Sequence, residues 1–480
     1  MLARTRHRAL GAAPDDGAPQ TTRTQTTRRP LGGPTGPAPT LLDDVPLPVR
    51  LEREVKAEFA PRMRERLAER IAAEDAARCG SAPSCDGCGR KMAARGRAVA
   101  SVRSQFGEVR LRPAVYRCAP CRRQVRPMWQ WLGVETGRLT GALARLVALL
   151  GVVVPYELAA QLCTELLGIE VCAMTVWREV QRLGSACEQY QAESMRHFND
   201  PRRQAGSSPT PPPQAVVLAP DGCALGMQVR STRRRRVDDK PLPPLPPVEE
   251  GHFREVKTGV LLLPNERIET APGRRSVVRR VLVTCLGDAD QLFARLSAKL
   301  VELNWLGDQT VVVIVGDGAE WIWNRAKLFA NRCEILDFWH AVEKAWEFAR
   351  LQYGAESKHA DNFIHRLATD LRAGRVTDVI ARLGRLKVAS PQAREKLASL
   401  IAYYTDNECR MRYDEYLRRG YGIGSGAVES AHKQVVHARL RQAGMRFSER
   451  GAIHLLALRV LLLNGQWSLL DRLARRPLAA

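Results

Sequence analysis

No apolar run in this 480-residue chain approaches the roughly 18–20 residues that cross a bilayer. The opening MLARTRHRALGAAPDDG lacks an apolar h-region, so a secretory signal is not expected. No internal repeat is visible, which sets solenoids and propellers aside. The two loops that follow the most apolar strand-like runs lack the glycine fingerprint of a dinucleotide or P-loop site, so the usual nucleotide-binding rivals fall away. Acid is also scarce, with 51 Asp and Glu against 74 Lys and Arg, a net charge of +23. Such an excess points to a polyanion. With no membrane segment expected, nucleic acid is the default partner.

Hydrophobic residues make up 45% of the chain, enough for real cores, and the length suits about three domains of roughly 100–200 residues. The 12 cysteines are scattered rather than arranged as a secreted disulfide framework. They suit a reducing cytoplasm, where paired cysteines more often hold metal. Heavy use of Arg and Ala suggests a GC-rich bacterial genome.

Composition and periodicity divide the chain as follows. Residues 1–45 read as a disordered basic tail. Residues 46–78 form a charged amphipathic helical segment, either a helix pair or one helix kinked near Pro61. A cysteine-bearing β segment occupies 79–128. Helices fill 135–200, with turn signals at Gly151–Pro155 and Gly168. The Pro/Ser linker within 201–214 marks the clearest boundary. Beyond it, apolar runs at 215–220, 311–316 and 333–338 alternate with helical patterns, as in a sheet covered on both faces. Residues 340–420 are nearly all helical. A glycine-rich turn and further helices close the fold over 421–470.

Cys85-Asp-Gly-Cys88 and Cys118-Ala-Pro-Cys121 are two CxxC pairs separated by 29 residues. Four thiolates in two tight pairs match a closed, structural Zn²⁺ site. From Gly89 to Arg126 there are eleven Lys or Arg against one acid, Glu108, a basic ribbon suited to phosphate contacts or simply to solubility. In 139–184, a helix, a turn at Gly168 and a helix bearing Trp177, Arg178 and Arg182 have helix-turn-helix spacing. A plain helical hairpin has the same pattern.

Asp221 ends the apolar run AVVLAPDG and Asp317 ends VVVIVGDG. Acids at the tips of neighbouring buried strands share one cleft, although an Asp-Gly turn after a strand is common without function. In GYGIGSGAVESAHKQVVHARLRQAGMRF (420–447), a glycine turn opens a helix carrying Glu429, with His432 at i+3 and Lys433 at i+4, followed by Arg439, Arg441 and Arg446. A lone carboxylate among cations makes sense if it holds a metal ion while its neighbours hold phosphates. The bland reading is a surface Glu–Lys pair.

The DG at 221–222, VGDGAEWIW at 315–323, ILDFWHAVEKAW at 335–346 and GIGSGAVESAHK at 422–433 resemble bacterial insertion-sequence transposases of the DDE class, in particular the Kra-type group with an N-terminal zinc ribbon and helix-turn-helix. The resemblance covers about residues 50–470. It implies a multidomain α/β protein with an RNase H-like catalytic core, and a helical insertion over 340–420. It also implies a metal-binding triad of Asp221, Asp317 and Glu429 holding two Mg²⁺ or Mn²⁺ ions. Asp337 and His340 match the acid-x-x-His motif of related enzymes, with His340 near the strand being cut. One departure is the insert STRRRRVDDKPLPPLPPVEE at 231–250.

The expectation is therefore a cytoplasmic, nucleoid-associated enzyme that binds the terminal inverted repeats of its own element. It would cut them by metal-dependent hydrolysis and join the freed ends to target DNA. Arg178, Arg182, Lys433, Arg439, Arg441 and Arg446 are the expected DNA contacts. Synapsis of two ends implies a homo-oligomer. The alternatives are a non-catalytic DNA-binding relative and an RNase H-type nuclease that cuts without joining.

Overall fold

The computed structural model describes residues 47–78, 82–134, 139–200, 211–228, 252–271, 274–277, 279–388 and 390–473. The expected basic tail, residues 201–210 of the linker and the 231–250 insert lie outside the described residues. The chain divides into two units, 1–58 and 59–480. In the first, residues 47–58 are helical and exposed throughout. They begin α1 (Leu47–Arg78), which runs unbroken through Pro61. No helix pair forms there: Pro61 is exposed, so the carbonyl deprived of its helical donor is open to water.

In the second unit the polar α1 buries only a short stripe. Leu67, Ala68 and Ile71 pack on Val102, Val109, Leu111 and Met128 of the ribbon that follows. That ribbon holds β1 (Ala93–Arg97), β2 (Ala100–Ser104), β3 (Gly107–Leu111), β4 (Ala114–Arg117) and β5 (Gln124–Val125), ending in α2 (Pro127–Leu132). The β2–β3 hairpin follows the period of two read from the sequence, with Val102, Val109 and Leu111 buried while Arg103 and Arg110 face outward.

Next come α3 (Gly141–Val153), α4 (Tyr156–Leu167) and α5 (Ala173–Phe198). Thr140 caps α3, and Gly168 in the left-handed conformation ends α4. Leu143, Val147, Ala159, Cys163, Ile169 and Val176 give the three helices a small core of their own. The later turns of α5 depart from the expected organisation. Val180, Leu183 and Cys187 enter the main core of the molecule. The linker is thus no domain boundary, because the helix before it packs with elements after it.

Those elements are β6 (Ala215–Gly226), β7 (Phe253–Leu262), β8 (Arg267–Ala271), β9 (Arg274–Val277), β10 (Val281–Leu286), α6 (Ala289–Glu302), β11 (Val311–Gly316), α7 (Glu320–Ala326) and β12 (Arg332–Leu336). Five of the strands make one sheet in the order β10-β7-β6-β11-β12, with β8–β9 a separate hairpin. The pairs β10–β7 and β7–β6 are antiparallel, whereas β11 runs parallel to both β6 and β12. The apolar β10 and β11 need cover on both faces. On one side Leu296 of α6 sits where Gly259 has no side chain, and on the other α13 (Gly426–His432) packs against β6 and β7.

Between β12 and α13 along the chain come α8 (Phe338–Tyr353), α9 (Lys358–Arg372), α10 (Val376–Gly384), α11 (Pro391–Asn407) and α12 (Tyr413–Arg418), filling the span expected to be a helical insertion. After α13 a π-helical turn covers Lys433–His437, then come α14 (Ala438–Leu440), α15 (Glu449–Leu463) and α16 (Leu470–Leu473). Two buried arginines tie this end to α3. Arg459 donates to the carbonyls of Val152 and Val435, each at 2.7 Å, and to that of Gln434. Arg439 donates to Gly151 O at 3.1 Å and lies over the Tyr156 ring. Carbonyls at a helix end carry partial negative charge, which is what a buried guanidinium needs.

Because Leu183 is buried in a core shared across the linker, Leu183→Ala is expected to cost about 2–5 kcal/mol. Urea unfolding followed by tryptophan fluorescence and circular dichroism should lower one common transition. Separate transitions, with only one displaced, would show the helical region to be an independent domain.

Candidate active site and zinc ribbon

The β6–β11 ladder runs in register from Ala215↔Val311 to Leu218↔Ile314. Continuing three residues along both strands brings Asp221 level with Asp317. The β11–β12 ladder ends at Gly316↔Leu336, and the next residue on each is Asp317 and Asp337. By register the three aspartates fall in one row, Asp317 and Asp337 just past the ends of β11 and β12 and Asp221 within β6, with neighbouring strands about 4.8 Å apart. Asp221 is not at a strand tip, as expected from the sequence. β6 continues to Gly226, since β7 goes on pairing with it from Asp221↔Thr258 to Gly226↔Phe253. Asp221 lies beyond the last paired residues of the β6–β11 ladder, so that side of β6 is unpaired there.

Each aspartate is held differently. Asp221 is partly exposed; its Oδ1 accepts from Gly222 N at 2.7 Å, and its Oδ2 lies 3.3 Å from His432 Nδ1. Asp317 Oδ1 accepts from Ala319 N at 3.0 Å, and its carbonyl accepts from the Tyr403 hydroxyl at 2.6 Å. Gly318 follows with φ +100°, and a Cβ there would meet the Tyr403 ring at 2.8 Å, so glycine is required twice over. The helical insertion therefore props up the loop that carries the second aspartate.

Asp337 is wholly buried and its carboxylate is saturated. Oδ1 accepts from Trp339 N at 2.6 Å and His340 N at 3.1 Å, capping α8. Oδ2 accepts from Ser425 N at 2.6 Å and from the Ser425 hydroxyl. Four donors fill its capacity. Ser425 is the N-cap residue of α13, so this buried acid fixes where the helix of Glu429 begins. Burial pushes the Asp337 carboxyl up, but the bonds from His340 and Ser425 outweigh it and hold the group below the usual range. In turn Asp337, whose Oδ2 is 3.8 Å from Nδ1, raises His340 to about 9, with Asp317 adding to the effect. His340 is therefore a cation at neutral pH, placed beside the row of acids.

Ligand atoms of Glu429, Asp337 and His340 lie within 4.8 Å of one another. Among the described residues Asp221 and Asp317 belong to no such group of three. The expected triad is therefore not drawn into one cluster; the Asp337–Ser425 clamp sets Glu429 over the end of β12.

The expected DNA contacts separate into two classes. Arg178 is exposed near the start of α5 beside exposed Trp177, and Lys433, Arg441 and Arg446 are exposed after Glu429. Arg446 lies over the Phe253 ring and Arg441 is 3.1 Å from His437 Nε2. Two assignments are corrected. Arg439 is 1% exposed and serves α3, as above. Arg182 is mostly covered and paired to the buried Glu179 at 2.8 Å, so its charge is already met within α5. Three residues at the site have roles that the sequence does not mark. Nothing local marks Tyr403 or pairs Ser425 with Asp337. His432, a neighbour of Glu429 expected to hold phosphate, is buried against Asp221.

In the ribbon, the sulfurs of Cys85, Cys88, Cys118 and Cys121 all lie within 4.8 Å of one another, with Cys88 and Cys118 at 3.5 Å. Tetrahedral zinc with bonds of about 2.3 Å needs sulfurs about 3.8 Å apart, so this cluster could hold the ion. The two knuckles repeat one backbone plan. Cys85 N donates to Arg90 O and Cys118 N to Arg123 O, and the residue after each pair, Gly89 or Arg122, has positive φ. The Gly87 amide lowers the Cys85 thiol to about 7, favouring a thiolate there, whereas the Cys88 thiol and burial push Cys121 up to about 12. Of the eleven basic residues from Gly89 to Arg126, all but Arg126 are exposed.

No family model matches the chain, and no curated protein matches it.

Chelation should release about one zinc ion per chain and unfold the ribbon, read by a metallochromic dye and by loss of protection in hydrogen exchange over residues 82–126. Cys118→Ser should have the same effect. Unchanged exchange after complete chelation would contradict a structural role for the cluster.

Proposed function

We propose that the chain is a DNA transposase of the DDE class, with an RNase H-like core whose acids Asp221, Asp317 and Glu429 hold divalent cations. The observation that carries the reading is the register that sets Asp221, within β6, level with Asp317, just past the end of the parallel neighbour β11, in a sheet ordered β10-β7-β6-β11-β12 with its first strand central. That order, three antiparallel strands followed by two parallel ones, supports the reading of an RNase H-like core. Helix α13 brings Glu429 to the same end, and the exposed basic surfaces of the ribbon and of the segment after Glu429 supply phosphate contacts.

The donor set fits the expected ions. Asp221, Asp317 and Glu429 offer carboxylate oxygens and none is fully buried, which suits hard cations such as Mg²⁺ or Mn²⁺. Bound there, a pair of such ions would neutralise charge developing on the attacking and leaving oxygens of a phosphodiester. The protein's own residues do the rest. Lys433, Arg441 and Arg446 hold the DNA backbone, and the His340 imidazolium faces phosphate beside Asp317. In cleavage, water adds to phosphorus at an element end, the bond to the 3′-oxygen breaks, and that oxygen takes up a proton as a free 3′-hydroxyl. In strand transfer this hydroxyl adds to a target phosphate and displaces the target's own 3′-oxygen. Each step exchanges one ester bond for another bond to phosphorus, so no serine or tyrosine nucleophile enters.

The test uses duplexes of the DNA flanking the gene with Mg²⁺. Wild type should cut at inverted repeats and join the ends to a plasmid. Asp317→Asn should bind the same duplexes with unchanged affinity and lose cutting on the order of a thousandfold. A mutant that cuts like wild type would refute the assignment of Asp317. Binding without any cutting by wild type would favour a non-catalytic DNA-binding protein, and cutting without joining would favour a nuclease.

A further inference from the structure

His432 lies one helical turn beyond Glu429 on α13, so one helix face carries both side chains. It is 5% exposed, whereas its neighbour Lys433 points outward. Its Nδ1 is 3.3 Å from Asp221 Oδ2. An N–H on Nδ1 would face the carboxylate oxygen, whereas a bare nitrogen there would set two lone pairs against each other. The other nitrogen, Nε2, is buried and has no hydrogen-bond partner among the described residues. Leaving a buried polar atom unmet is costly, so the side chain is not placed there for packing alone.

The surroundings of Asp221 leave few other groups for this task. Its Oδ1 is taken by the next amide in the chain. Thr258 stands directly across the β6–β7 ladder, but its hydroxyl is buried and without a hydrogen-bond partner among the described residues. Orientation of the second oxygen rests on His432.

We propose that His432 is a positioning residue for Asp221: it fixes the carboxylate so that the lone pairs not facing the imidazole are offered to a divalent cation. The proposal rests on the reading that Asp221 holds such an ion. It gives α13 two tasks, bringing Glu429 to the strand ends and aligning the first aspartate. Groups that hydrogen-bond a metal-ligating carboxylate commonly alter metal affinity 10–100-fold when removed.

The test is Mn²⁺ binding to the zinc-loaded full chain without DNA, followed by electron paramagnetic resonance. Asp221→Asn should abolish one site. His432→Ala should weaken that site about 10–100-fold with zinc content and melting temperature retained. His432→Asn, which keeps an N–H near the position of Nδ1, should restore most of the affinity. Equal affinity in wild type and His432→Ala overturns the proposal, as does equal weakening in folded Ala and Asn variants. If the alanine variant does not fold, the asparagine variant decides alone: near-wild-type affinity supports the role and a tenfold loss overturns it. Wild type with no Mn²⁺ site sensitive to Asp221→Asn would instead fail the metal reading itself, and the role of His432 with it.

Discussion

One buried carboxylate organises the end of the sheet beside Asp317 and Glu429. Asp337 caps α8 with one oxygen and holds Ser425 with the other. Residues 88 positions apart in the chain are thereby locked together. Phe338 N donates to Ile423 O at 2.9 Å, so the glycine turn is gripped twice. Trp339 packs where Gly424 has no side chain. Without this clamp the start of α13, and with it Glu429 and His432, would have no fixed height above the strands. A carboxylate can do this in the interior only because four donors and a neighbouring imidazolium compensate its desolvation.

A second set of constraints ties the helical region to the same end. Arg439 and Arg459 fasten the last turn of α3 to the π-helical turn after α13. A π turn inside a helix leaves carbonyls poorly bonded, and Arg459 takes up two of them, those of Gln434 and Val435. The 26-residue α5 carries exposed Arg178 near its start and core residues further on. In the proposed enzyme, the surface that meets DNA and the acids that act on it belong to one packed body rather than to modules on a tether.

Much of this was legible in the sequence because local signals sufficed. Apolar strands, the CxxC pairs and the capped helices follow from periodicity, spacing and turn chemistry. Asp221 and Asp317 stand out in the sequence because each sits in an Asp-Gly beside an apolar strand run. What stayed hidden depends on tertiary pairing. The end of β6 could not be placed without its partner β7. Arg439 and Arg182 look like free cations in a basic sequence, and only packing reveals that one serves a helix end and the other a buried glutamate. Tyr403 supports Asp317 from 86 residues away, a distance no motif spans. The linker at 201–214 misled for a related reason: composition marks a change in local order, not whether the flanking segments share a core.

The central claim is that Asp221, Asp317 and Glu429 bind divalent cations at the carboxyl end of the sheet. Crystals grown with Mn²⁺, measured at its absorption edge, test it most directly. The account predicts anomalous peaks between the carboxylates of Asp221 and Asp317, with Glu429 ligating one of the ions and Asp337 still bonded to Ser425. Manganese held by Asp337, His340 and Glu429 alone, with Asp221 and Asp317 free of it, would contradict the account.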